Sequence, residues 1–121
     1  MEEIESIVRK TIGIEVQLRN ELGLVIGVKF AFIFGSYAMG SFKSDSDIDL
    51  FVIGTPDEDD VFNVVQKIEE SVSREINFRI DDVTGFAEKA KSSSFYQEIL
   101  ENPLMLIGKE DELKELIRRK K

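Results

Sequence analysis

Gly35-Ser36 and, ten residues later, Asp47-Ile48-Asp49-Leu50 bring together the residue types that phosphate chemistry needs. A turn without bulky side chains lets backbone N–H groups approach phosphate oxygens, and Ser36 adds a hydroxyl donor. Side chains of a strand alternate between faces, so Asp47 and Asp49, two positions apart, project from one side and can share an ion. Mg²⁺ prefers oxygen ligands and keeps positions for water and substrate phosphates, which makes two carboxylates plus a triphosphate a natural shell. A two-metal arrangement needs a further carboxylate.

Two other motif readings fail on spacing. Gly35 to Gly40 gives the outline of a phosphate-binding Walker loop, but Ser41-Phe42 follows where Lys-Ser/Thr is required, and Lys43-Ser44 comes two positions late. Asp45, Asp47 and Asp49 begin like an EF-hand, yet Leu50 stands where Gly is needed and Pro56 where a bidentate Glu is needed.

Composition narrows the chemistry further. The 121 residues contain no Cys and no His, so thiolates, disulfides and imidazoles are excluded, and catalysis must run on carboxylates, hydroxyls and a hard cation. A net charge of −8 argues against a broad nucleic-acid face, which depends on Lys and Arg neutralising phosphates. No apolar run is long enough to span a bilayer, and an acidic N-terminus is unlike a secretory signal, so a cytoplasmic protein without membrane contact is expected. The length suits a single domain over residues 1–121.

The elements that must position the motif follow from periodicity. Residues 2–22 carry Ile4, Ile7, Val8, Ile12, Val16 and Leu18 at helical spacing, with Gly13 a point of bending or breakage. Residues 28–34 form a nearly continuous apolar run that suits a buried strand feeding the Gly35-Ser36 turn, after which residues 36–40 begin a short helix. A second buried strand is expected over 48–53, an amphipathic helix over 57–73 with Asp57 to Asp60 in its first turn, and an alternating strand over 75–81. Short helices over 84–91 and 95–100, an extended segment over 104–107 and a helix over 111–120 complete the chain. The motif does its work only if the first two strands are neighbours.

Residues 34–40 together with Ser46-Asp47-Ile48-Asp49-Leu50 resemble the signature of the DNA polymerase beta superfamily, in its minimal nucleotidyltransferase branch. Residues 9–14, 74–77 and 102–108 resemble a subgroup in which this domain often follows a winged helix; no such helix-turn-helix is expected before Met1. The resemblance implies an α/β (α+β) nucleotidyltransferase fold, a small mixed sheet flanked by helices. It further implies an NTP substrate, ATP first among them, Mg²⁺, and transfer of a nucleoside monophosphate to a protein or RNA hydroxyl. Gly35 and Ser36 would then grip the nucleotide, and Asp47 and Asp49 would bind the metal and carry catalysis. Some stand-alone relatives are antitoxins that adenylylate a HEPN-type toxin, which makes such a protein a candidate partner; a homodimer stays open.

One departure stands out. Relatives with full activity place a third carboxylate on the next strand, and the matching position here is Asn77. An amide offers a neutral carbonyl and takes no proton, so a general base typically worth about 10²–10⁴-fold is missing. The alternative reading is therefore a non-catalytic nucleotide-sensing or partner-binding module. Glu75 could substitute if the register lies one pair off, and Asp81 and Asp82 sit at the strand's exit, all three reading more simply as surface charge. Arg79 suits either a triphosphate or an acid partner. Tyr37, Phe42, Phe86, Phe95 and Tyr96 read as packing, and Lys43 as a solvated surface charge.

Overall fold

A computed structural model describes residues 2–35 and 47–119, with side chains for 13–35 and 47–117. The element order is α1 (Glu2–Gly23), β1 (Val28–Phe34), β2 (Ile48–Gly54), α2 (Glu58–Val72), β3 (Ile76–Asp81), α3 (Val83–Ser92), α4 (Ser94–Ile99), β4 (Leu104–Ile107) and α5 (Glu110–Arg119). The strands form one mixed sheet in the order β3-β2-β1-β4, with β1 antiparallel to both neighbours and β2 parallel to β3.

Alternation along the strands divides the core into two layers. Ala31 and Ile33 of β1, Ile48, Leu50 and Val52 of β2, and Ile76 of β3 meet Ile14, Leu18 and Leu22 of α1 and Val61, Val65 and Ile68 of α2. On the opposite face Phe30, Phe32, Phe34, Phe51 and Ile53 pack with Phe86 and Ala90 of α3, Tyr96 and Ile99 of α4 and Leu113 of α5. That second layer is largely aromatic: Phe32 stacks on Phe51 at 5.5 Å, and Phe86 meets Phe51 edge-on at 5.2 Å. Such geometries suit the ring quadrupoles and contribute about 0.5–1.5 kcal/mol per pair beyond area burial.

Helix α1 runs through Gly13 unbroken, because the stripe Ile14, Leu18, Leu22, repeating every four residues, fastens it to the sheet on the far side of that glycine. Val16 does not belong to that stripe and is 42% exposed, against 0% for Leu18. The expected helix over 57–73 is α2, with the two end residues as caps: Asp57 accepts from the Asp59 N–H, and Ser73, at φ 57°, donates its N–H to the Glu69 carbonyl. Acids in the first turn complement the helix dipole. The helix start read over residues 36–40 lies outside the described residues. Among the described residues, no helix is long and apolar enough to cross a membrane.

Candidate active site

The two halves of the motif meet at one end of the β1–β2 pair. Phe34, the last residue of β1, is paired with Asp49 near the start of β2, so antiparallel pairing brings Gly35 beside the acid. Gly35 adopts φ 80°, a left-handed conformation that side-chain-bearing residues rarely take, and a Cβ built on it would stand 2.7 Å from Asp49 Oδ2. Glycine is required there twice over. Ser36, the other half of the expected phosphate turn, lies outside the described residues, as do Tyr37, Phe42 and Lys43.

Asp47 is exposed, at the mouth of β2, and Asp49 is half-buried. Burial holds the Asp49 carboxyl above the usual carboxylate range, a hydrogen bond with Asn77 pulls it down, and the charge of Asp47 pushes it up again. The two acids are therefore close enough to sense each other, as the alternation of the strand requires.

Strand β3 brings Asn77 to the same place. Two contacts pin its register: the Ile76 N–H donates to Glu69 Oε2 at 2.7 Å, and the Ile48 N–H donates to the Glu75 carbonyl at 2.9 Å. Asn77 is then paired with Asp49, and its Nδ2 donates a long 3.4 Å hydrogen bond to Asp47 Oδ2. The amide thus faces both acids. Glu75 precedes the strand and is exposed, so the register shift that would let it replace Asn77 does not occur.

The remaining polar residues of β3 are engaged elsewhere. Arg79 lies over the Phe95 ring at 5.0 Å from its centroid. Asp81 accepts from Tyr96 Oη at 2.8 Å and from Lys89 Nζ at 3.4 Å, and Asp82 caps α3 by accepting from the Gly85 N–H. Asp81 is half-buried in that network, which departs from the plain surface charge expected of it. Among the described residues, no group of three or more His, Cys, Asp or Glu stands in a metal-holding arrangement.

A cleft of about 360 Å³ opens beside the acid pair, lined by Phe34, Gly35, Asp49, Phe95, Glu98, Ile99, Glu101 and Asn102. Phe95, read from the sequence as packing alone, is 40% exposed and meets Phe34 edge-on at 6.0 Å, so it forms a wall of this cleft. Its contribution had no local signal, because α4 begins 45 residues after Asp49 and reaches the motif through the aromatic layer. Chemically the site offers oxygen and amide donors and no imidazole or thiolate, a set that fits a hard divalent cation with open positions and does not fit structural zinc.

A mixed sheet with helices on both faces, a glycine turn at the end of β1 and an Asp-x-Asp pair entering the antiparallel β2 defines the nucleotidyltransferase class of α/β proteins. Residues 16–112 match the family model for polymerase beta, nucleotidyltransferase, and the chain belongs to that family. It is 32% identical over 79 residues, 65% of this chain and 78% of the other, to the protein named "Putative protein adenylyltransferase MJ0604" of Methanocaldococcus jannaschii. Among solved structures, it resembles a chain of a toxin–antitoxin complex with AMP-PNP (TM-score 0.58, 20% identity, 93% of this chain and 82% of that one). It also resembles a chain of the complex between a tri-AMPylated Shewanella oneidensis HEPN toxin and an MNT antitoxin (TM-score 0.54, 18% identity, 92% and 80%). At these identities the likeness is one of fold. Nucleotidyltransferases of this superfamily generally use a divalent metal.

Proposed function

We propose that this chain binds ATP with Mg²⁺ at the Gly35–Asp49 corner and transfers AMP to a hydroxyl of a protein, as an antitoxin acting on a HEPN-type toxin. The observation that carries the reading is the pairing of Phe34 with Asp49, which brings the glycine turn against the acid pair. The adenylyltransferase name of the archaeal relative and the AMPylated toxin in the Shewanella oneidensis complex support AMP as the group transferred and a protein as its acceptor.

In this reading Gly35 leaves room for the triphosphate, with Ser36 beside it, and Asp47 and Asp49 hold the cation. When bound, Mg²⁺ supplies charge neutralisation for the phosphate oxygens. The acceptor's hydroxyl oxygen forms a bond to the α-phosphorus, the bond from that phosphorus to the bridging oxygen breaks, and pyrophosphate leaves with the electron pair. Asn77 takes no proton, so the hydroxyl proton leaves to water. Phe95 walls the cleft, and Arg79 lies over its ring.

The test is incubation of the chain with α-labelled ATP, MgCl₂ and a HEPN-type protein as acceptor. Label on the partner that disappears with Asp49→Asn supports the reading. Label that persists in that variant removes the site. Asn77 in place of an acid also favours a second reading, a nucleotide-sensing module without turnover; nucleotide binding without label transfer to any acceptor would select it.

A further inference from the structure

The cleft beside the acid pair differs in character from the corner it opens from. Buried Phe34 and Ile99 and the 40% exposed Phe95 give it apolar surface, while Glu98, Glu101 and Asn102 stand exposed around it. Apolar lining with a few polar groups is the usual composition of a small-molecule site, and about 360 Å³ lies at the small end of their range. Glu98 and Glu101 add to the negative charge of Asp49, and no Lys or Arg is among the described residues that line the cleft. Phosphates would meet like charge there. The cleft suits a flat, uncharged part of a ligand whose phosphates stay at its Gly35 end.

Phe95 is held ready for such a contact. Arg79 lies over its ring at 5.0 Å from the centroid, and Phe34 and Tyr96 meet it almost perpendicularly at 6.0 and 5.6 Å. Three neighbours fix the ring, yet it stays 40% exposed, and Arg79 is not among the residues lining the cleft, so the cation does not fill it. A ring ordered before its ligand arrives loses little freedom on binding. Glu98, three positions on, shares that side of α4, and Asn102 follows the helix's exit. The Asn102 amide both donates and accepts, which matches the adjacent amine and ring nitrogen on an adenine edge.

We propose that this cleft is the nucleobase subsite, in which the base stacks against Phe95 and Asn102 reads its edge, so that adenine is favoured. This rests on the proposed function, in which the phosphates and their cation occupy the Gly35–Asp49 corner. The occupant follows from continuity: Gly35 and Asp49 line the same cleft as Phe95, so a nucleotide anchored by its phosphates at that corner reaches the ring with its base. The acids around the cleft agree with the choice, since carboxylates accept from an exocyclic amine and oppose a carbonyl in its place.

Calorimetric titration of the full chain with ATP and with inorganic tripolyphosphate, each with MgCl₂, separates base from phosphate. Phe95→Leu is expected to weaken ATP binding by about tenfold and to leave tripolyphosphate binding unchanged, which also shows that the variant is folded at the site. ITP carries a carbonyl where ATP carries the amine; it is expected to bind about tenfold more weakly, and Asn102→Ala to reduce that preference. An ATP affinity indifferent to Phe95→Leu overturns the subsite, and if transfer to an acceptor protein falls in that variant, the cleft belongs to the acceptor instead. Equal loss of both ligands also overturns it, because the ring then only supports the fold. ATP and ITP binding alike to the unaltered chain removes the reading of the base edge. Should neither ATP nor tripolyphosphate bind the unaltered chain, the proposed function itself fails; should tripolyphosphate bind while ATP ignores Phe95, the subsite alone falls.

Discussion

Gly35 and Asp49 lie so close that a single added methyl group on the glycine would come within 2.7 Å of the Asp49 carboxylate. Residues fourteen positions apart in the chain are in contact because β1 and β2 pair antiparallel with Phe34 opposite Asp49. Gly35 and Asp49 therefore share one corner of the fold, and each constrains what can stand at the other.

Gly35→Ala is expected to destabilise the fold by about 1–2 kcal/mol, from the cost of a left-handed backbone for a residue with a Cβ, and by more if Asp49 cannot move aside. Urea unfolding checks the stability. Nucleotide binding, followed by calorimetry, should fall further than the stability loss explains.

Asp49→Asn removes a half-buried charge that burial and Asp47 both disfavour. Stability is expected to stay level or rise slightly, while label transfer from ATP falls by about 10²-fold or more. Thermal melts beside a transfer assay would record the two effects moving apart, as at sites where function is held against stability.

The Tyr96 hydroxyl donates to Asp81 at 2.8 Å, and removing it with Tyr96→Phe is expected to cost about 1–2 kcal/mol, since a half-buried carboxylate loses a donor. Burial first, then the bond to Asp81, raise the Tyr96 pKa above its ordinary 10.0. A raised acid pKa in the fold means that the neutral phenol is favoured there. Its contribution is complete below the ordinary value and is lost as pH rises through the folded one. Lys89, raised mainly by the charge of Asp81, acts in the same direction. Denaturation followed from pH 9 to about 12 should show a steeper loss in the unaltered chain than in Tyr96→Phe.

Helix α1 offers a test of packing. Leu18→Ala is expected to cost about 2–5 kcal/mol, because Leu18 is fully buried, and Val16→Ala within about 0.5 kcal/mol, because Val16 is 42% exposed. Equal effects in urea unfolding would contradict the orientation of the helix.

Val16 also marks the limit of what the sequence discloses. Hydrophobic spacing located α1 but not its buried side, since Ile14, Val16 and Leu18 fall on two faces and only the sheet decides between them. The strands were legible because β1 and β2 are apolar over nearly their full length and β3 alternates; the caps at Asp57 and Ser73 were read as helix because cap residues have their own preferences outside it. The acid pair and its glycine turn could be seen because their spacing is local to two strands. Phe95 as a wall of the cleft, the Tyr96–Asp81 bond and the pinning of β3 by Glu69 could not, because each joins distant segments through tertiary packing.

The proposed function requires the Gly35 turn and the Asp47–Asp49 pair to bind nucleotide together with a divalent cation. Calorimetric titration of ATP into the unaltered chain and into Asp47→Asn, each with and without MgCl₂, tests it most directly. Binding to the unaltered chain is expected to depend on Mg²⁺ and to be lost in the variant. Binding that is equal in the two proteins, or no heat from the unaltered chain at millimolar ATP, would contradict it.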